Sequence, residues 1–146
     1  MDANILKLRE QTGAGVMDCK RALDEASGDF TKALEIIKEK GISKAESKKE
    51  RKAGAGGIFS YIHNGRIGVL LLLRAETDFV VKSEPFQFLA NELLIQIAAM
   101  NPETVEDLLA EPYVRNEAET IADLIKKTIT KVGENIQVEK FVRFEI

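Results

Sequence analysis

Apolar residues in the first forty positions recur every three to four residues, as Ile5, Leu6 and Leu8, then Val16, Cys19, Leu23 and Ala26, then Phe30, Ala33, Leu34 and Ile37. That spacing predicts three short helices. Thr12-Gly13 ends the first and Gly28 the second, because glycine accepts the left-handed backbone that closes a helix. Asp29 is placed to cap the third, which is expected to stop before Gly41. The chain then turns hydrophilic from Ser43 to Lys52 and runs into Ala53-Gly54-Ala55-Gly56-Gly57. These shifts divide it into a three-helix module at 1–42, a basic, glycine-containing linker at 43–56 and a second unit at 57–146.

The second unit has a different period. Ile58 to His63 and Arg66 to Ala75 read as strands joined by Asn64-Gly65, a pair that tolerates positive φ at both central positions of a tight hairpin. Ser83 and Pro85 open a helix with Phe86, Leu89, Ala90, Leu93, Leu94 and Ile97 on one stripe, which ends at Asn101-Pro102. Thr104 caps a short turn through Val105, Leu108 and Leu109. Ala118, Ile121, Ala122, Ile125, Ile129 and Val132 predict a further helix closed by Gly133, and Ile136 to Ile146 a last strand. The order strand, strand, helix, helix, strand gives an α+β fold, with helices on one face of a small antiparallel sheet.

The second strand is apolar at both parities, Ile67, Val69, Leu71 and Leu73 on one face and Leu70 and Leu72 on the other. A sheet with one solvated face alternates, so both faces are expected to be covered. Helices supply one cover. A second copy of the chain is the simplest supplier of the other, with Phe59, Tyr61 or Phe141 as contributors; strand twist and the linker are the alternative.

Composition removes several function classes. With 146 residues and a net charge of −3, the surface as a whole is not built for nucleic acid, although Lys44, Lys48, Lys49, Arg51 and Lys52 leave an RNA tether as an alternative reading of the linker. Cys19 is the single cysteine and His63 the single histidine, so neither a metal cluster, a disulfide framework nor a nucleophile-base pair has its parts. No phosphate loop of the GxxxxGK[ST] form occurs and no apolar run reaches the length of a membrane span. No cofactor, no resident metal, no membrane and a cytoplasmic location are expected. Adjacent Glu76 and Asp78 lack any accompanying nucleophile or oxyanion donor, which argues against an enzyme.

The stretch that asks for explanation is Glu76-Thr77-Asp78-Phe79-Val80, a short connection carrying a bulky ring between a strand and a helix. Either Phe79 folds inward to cap the core, or it is presented to another protein with Asp78 beside it.

Leu8-Arg9-Glu10-Gln11-Thr12-Gly13-Ala14-Gly15-Val16-Met17-Asp18-Cys19-Lys20-Arg21-Ala22-Leu23 resembles the N-terminal signature of bacterial translation elongation factor Ts. Glu76-Thr77-Asp78-Phe79-Val80 resembles that family's second signature, and Arg66-Ile67-Gly68-Val69-Leu70, Gly133-Glu134-Asn135-Ile136 and Phe141-Val142-Arg143-Phe144-Glu145 are similar to its core. The resemblance implies a guanine nucleotide exchange factor for elongation factor Tu, with a ubiquitin-associated-like N-terminal module. It also implies that Thr77, Asp78, Phe79 and Val80 disturb the magnesium and phosphate site of the partner, and that Val16, Met17 and His63 make further partner contacts. The length between Asn101 and Val132 fits a short form with a single core copy and no helical hairpin insertion, one that works as a homodimer. Val142 stands where some short-form members carry a linking cysteine, so the expected dimer is non-covalent.

Overall fold

The computed structural model describes residues 2–48 and 51–146. Three helices come first: α1 (Ala3–Thr12), α2 (Val16–Glu25) and α3 (Phe30–Lys48). The Asp2 carboxylate accepts from the Asn4 amide at the start of α1, and Gly13 ends it at φ 73°. Asp29 accepts from the Lys32 amide at 3.2 Å, the expected cap of α3. Leu8, Cys19, Leu23, Ala33 and Ile37 make a small core of their own. Burial raises the pKa of the Cys19 thiol, the mark of a small packed hydrophobe rather than a reactive group.

The third helix does not stop at Gly41. It runs on to Lys48, because Gly41 serves a close approach and not a terminus. A Cβ there would lie 3.3 Å from Thr130 Oγ1, and the Thr130 hydroxyl donates to the Gly41 carbonyl at 3.1 Å. The N-terminal helices are thereby seated on the second unit. Of the expected linker, residues up to 48 extend α3 and Ala55 and Gly56 already belong to a strand, while Lys49 and Glu50 lie outside the described residues.

The second unit is built on β1 (Ala55–His63), β2 (Ile67–Ala75) and β5 (Ile136–Glu145), antiparallel in the order β1-β2-β5. Asn64 and Gly65 take φ of 53° and 66°, the tight turn that the Asn-Gly pair predicts. Between β2 and β5 come α4 (Asp78–Val81), α5 (Glu84–Met100), α6 (Val105–Ala110), β3 (Pro112–Tyr113), β4 (Asn116–Thr120) and α7 (Ile121–Val132). Leu71, Leu73, Phe86, Leu89, Leu93 and Ile97 are wholly buried between the sheet and α5, each contributing about 1.5–3 kcal/mol by leaving water. Helix α7 lies beside α5 and also carries α3.

Three sequence expectations shift. Residues 116–120 form β4 instead of starting the last helix: Thr120 and Asp123 make a reciprocal capping box that fixes the helix start at Ile121, leaving Ala118 in the strand. Ser83 precedes α5 but makes no side-chain cap, since its hydroxyl donates to the Val80 carbonyl at 2.6 Å. Phe59, Tyr61 and Phe141 pack against the helix-covered core and do not contribute to the outer face.

Gly56 lies where β1 presses on β2. A Cβ would come within 2.8 Å of the Leu73 carbonyl oxygen, which a hydrogen-bonded strand cannot move aside cheaply. Gly56→Ala is expected to cost about 1–3 kcal/mol in urea unfolding; an unchanged midpoint would refute this account of the contact.

Candidate functional site

The site grows from the end of β2. After Ala75 the chain leaves the sheet and makes a single helical turn, α4, where sequence periodicity gave only a connection. The turn forms because Thr77 is extended at φ −131° and its hydroxyl oxygen accepts from the Val80 amide at 3.4 Å. Its far end is held by the Ser83 hydroxyl on the Val80 carbonyl and by Gln87 Nε2 on the Val81 carbonyl at 2.7 Å.

A second tether comes from the turn between α7 and β5. The Thr77 amide donates to Glu134 Oε1 at 3.0 Å, and the Thr77 hydroxyl donates to Oε2 at 2.8 Å. In return, the Asn135 amide donates to Glu76 Oε1 at 2.8 Å. Asn135 is buried, and its side-chain amide donates to the Arg51 carbonyl at 2.8 Å, while the Arg51 guanidinium sits 3.7 Å from Glu76. Charge-assisted bonds to carboxylates are the stronger kind, so three of them exchanged across adjacent turns hold α4 in one place. Glu134 and Asn135 are the supporting residues that periodicity could not identify. The residues after a helix-ending glycine read as an ordinary loop.

On this support the four residues separate. Phe79 is 85% exposed, although it is a large aromatic on a short, well-held turn. The inward, core-capping alternative for Phe79 is thereby excluded. Val80 does the inward job: it is buried in the main core and anchors the turn. Its side chain is therefore no free surface for a partner. Asp78 is exposed in the first turn of α4, and Thr77 is occupied with Glu134. The chemistry presented outward is an apolar ring beside a carboxylate.

The further expected contact residues lie elsewhere. Met17 is exposed and Val16 half-buried at the start of α2. His63 is exposed at the hairpin end, where the Tyr61 hydroxyl lies 2.8 Å from Nδ1 and the Asn64 amide 3.3 Å from Nε2. Strand β2 has nine residues, and eight steps of about 3.3 Å put the hairpin tip roughly 26 Å from the α4 end. His63 and Phe79 cannot share one pocket. Among the described residues no group of three or more His, Cys, Asp or Glu is arranged to hold a metal ion.

Removing the Glu134 tether tests the support directly. In Glu134→Ala the Thr77 amide is expected to exchange with solvent at least tenfold faster, with about 1–3 kcal/mol lost locally. Exchange protection equal to the parent chain would show that the tether does not hold the turn.

Comparison with known proteins adds a consistent result. A family profile described as Elongation factor TS matches residues 76–146. A protein named Elongation factor Ts from Petrotoga mobilis is 42% identical over 195 positions, covering 100% of this chain and 99% of that protein. The one from Fervidobacterium nodosum is 39% identical, covering 97% and 95%, and the one from Gloeothece citriformis is 40% identical, covering 96% of this chain and 65% of that protein. The Petrotoga comparison exceeds the 146 residues of this chain by 49 positions.

Proposed function

Because the chain belongs to the elongation factor Ts family, we propose that it is a guanine nucleotide exchange factor that binds elongation factor Tu carrying GDP and loosens that nucleotide without making or breaking a bond. The single observation that carries this reading is Phe79, 85% exposed on a turn whose backbone is tied down on both sides. An exposed ring on a mobile loop must be ordered when it binds. One already fixed spends little of its contact energy that way.

A GTPase holds its nucleotide through backbone donors and a magnesium ion bridging phosphate oxygens, so shifting the supports of that ion weakens GDP. Phe79 entering an apolar slot supplies about 1.5–3 kcal/mol, or about one to two decades of equilibrium constant. Asp78, exposed beside it, brings a carboxylate toward groups around the cation. Thr77 and Val80 act from behind, one through Glu134 and the other through the core. Linkage makes the effect reciprocal: GDP weakens the factor's grip by the same ratio. The N-terminal helices, through Val16 and Met17, dock on the nucleotide-binding domain, and His63 reaches a different part of the partner, a separation in keeping with the roughly 26 Å between hairpin tip and α4. The reaction belongs to the partner, so this chain is not itself an enzyme.

The outer sheet face supports a second part of the reading, a non-covalent homodimer. Ile58, Ile62, Leu70, Val142 and Phe144 are exposed there. Together they leave on the order of 600 Å² uncovered on one protomer, so a self-packed pair buries on the order of 1,200 Å², the lower edge of stable interfaces.

Phe79→Ala is expected to slow stimulated release of fluorescent GDP from elongation factor Tu at least tenfold while circular dichroism stays unchanged; near-normal exchange would refute the assigned role. Leu70→Asp, which places a charge at the centre of the outer face, is expected to give a monomer in sedimentation equilibrium. A dimer that survives it would have to use another surface.

A further inference from the structure

The outer sheet face has a relief that its apolar character alone does not explain. Register sets Ile62, Gly68 and Phe144 side by side across the three strands, and the two long side chains are 70% and 72% exposed. Gly68 is a dent between two ridges. A Cβ built on it meets no atom within 4 Å, and its φ is not positive. Neither crowding nor backbone conformation within the subunit asks for glycine at this position, and glycine weakens a strand interior, so the reason lies outside the subunit. The neighbouring row, Ser60, Leu70 and Val142, reverses the profile: short, long, intermediate.

We propose, resting on the homodimer reading above, that Gly68 is the socket of a self-complementary interface and receives Leu70 of the partner subunit. Sheets stacked face to face about 10 Å apart interdigitate their side chains, and a two-fold interface must complement itself. A two-fold axis between the sheets, crossing the strands midway between these rows, sets Gly68 over Leu70 of the partner subunit. It also sets Ile62 over Ser60 of the partner subunit and Phe144 over Val142 of the partner subunit. Each ridge then meets a shorter residue. An axis along β2 instead stacks glycine on glycine, leaving a void, and drives Ile62 against Phe144 of the partner subunit. An axis through the Leu70 row sets Ile62 against Ile58 of the partner subunit, ridge on ridge. Of the three, the register between rows alone interleaves long with short, which core-like packing at an interface needs.

The test uses the full chain in sedimentation equilibrium over a concentration series. Gly68→Leu is expected to raise the dimer dissociation constant at least tenfold with an unchanged circular dichroism spectrum, since the space above Gly68 is open in the monomer. Leu70→Ala weakens the dimer by vacating the socket. The double variant Gly68→Leu/Leu70→Ala is expected to return to within about threefold of the parent, because the exchanged side chain then faces the shortened position. Parental dimerisation of Gly68→Leu, or a double variant as weak as the two single effects combined, would overturn the socket while leaving the homodimer standing. A parent chain that stays monomeric at about 100 μM would overturn the homodimer and the socket together, with nucleotide exchange by Phe79 still open to its own assay.

Discussion

Two carboxylates exchanged between neighbouring turns organise the end of the sheet from which Phe79 projects. Glu76, leaving β2, takes the amide of Asn135, and Glu134, entering β5, takes the amide and hydroxyl of Thr77. Each turn supplies the acceptor for the other's orphan donor, so neither can move alone. The arrangement sits where Ala75 and Ile136 pair at the sheet's end, and the covered sheet and α5 make that end stiff. An aromatic ring held in water at 85% exposure is unfavourable for the isolated chain. It persists because the backbone beneath it is fixed from two directions and Val80 secures it from below.

The same economy governs the sheet. One face is sealed by α5 with wholly buried leucines, while the other presents a ridge-and-dent surface of aliphatic and aromatic side chains. A three-stranded sheet with that composition on a free face is suited to a partner. The two surfaces are separate: the apolar outer face lies across the three strands, and Phe79 projects from the turn beyond the end of β2.

Helix α5 shows how polar groups can be structural. Glu92 and Gln96 are buried one turn apart. Glu92 accepts from the Tyr113 hydroxyl at 2.7 Å and pairs with Arg115 at 2.6 Å; Gln96 accepts from the Val114 amide and donates to the Pro112 carbonyl. Burial and the bond to Glu92 push the Tyr113 phenol well up, which keeps it protonated as a donor. These bonds stitch the β3-β4 hairpin to α5. In the sequence Glu92 and Gln96 look like an ordinary solvated helix face, because helical period assigns a side of the helix and says nothing of what covers it.

Local rules sufficed wherever a residue's own backbone preference settled the outcome: Gly13 and Gly133 as left-handed helix ends, Asn64-Gly65 as the hairpin turn, and Asp29 and Thr104 as caps; the order of the elements so bounded made α+β the fold. The residues Thr77 to Val80 were also marked by sequence, through their likeness to a family and the oddity of an aromatic in a short connection. What sequence could not decide was direction. Gly41 read as a stop until Thr130 came against it, Phe59 and Phe141 read as outer-face residues until the register turned them inward, and Phe79 was equally able to face in or out. Each of these depends on a neighbour tens of residues away, and only the packed chain brings that neighbour into contact.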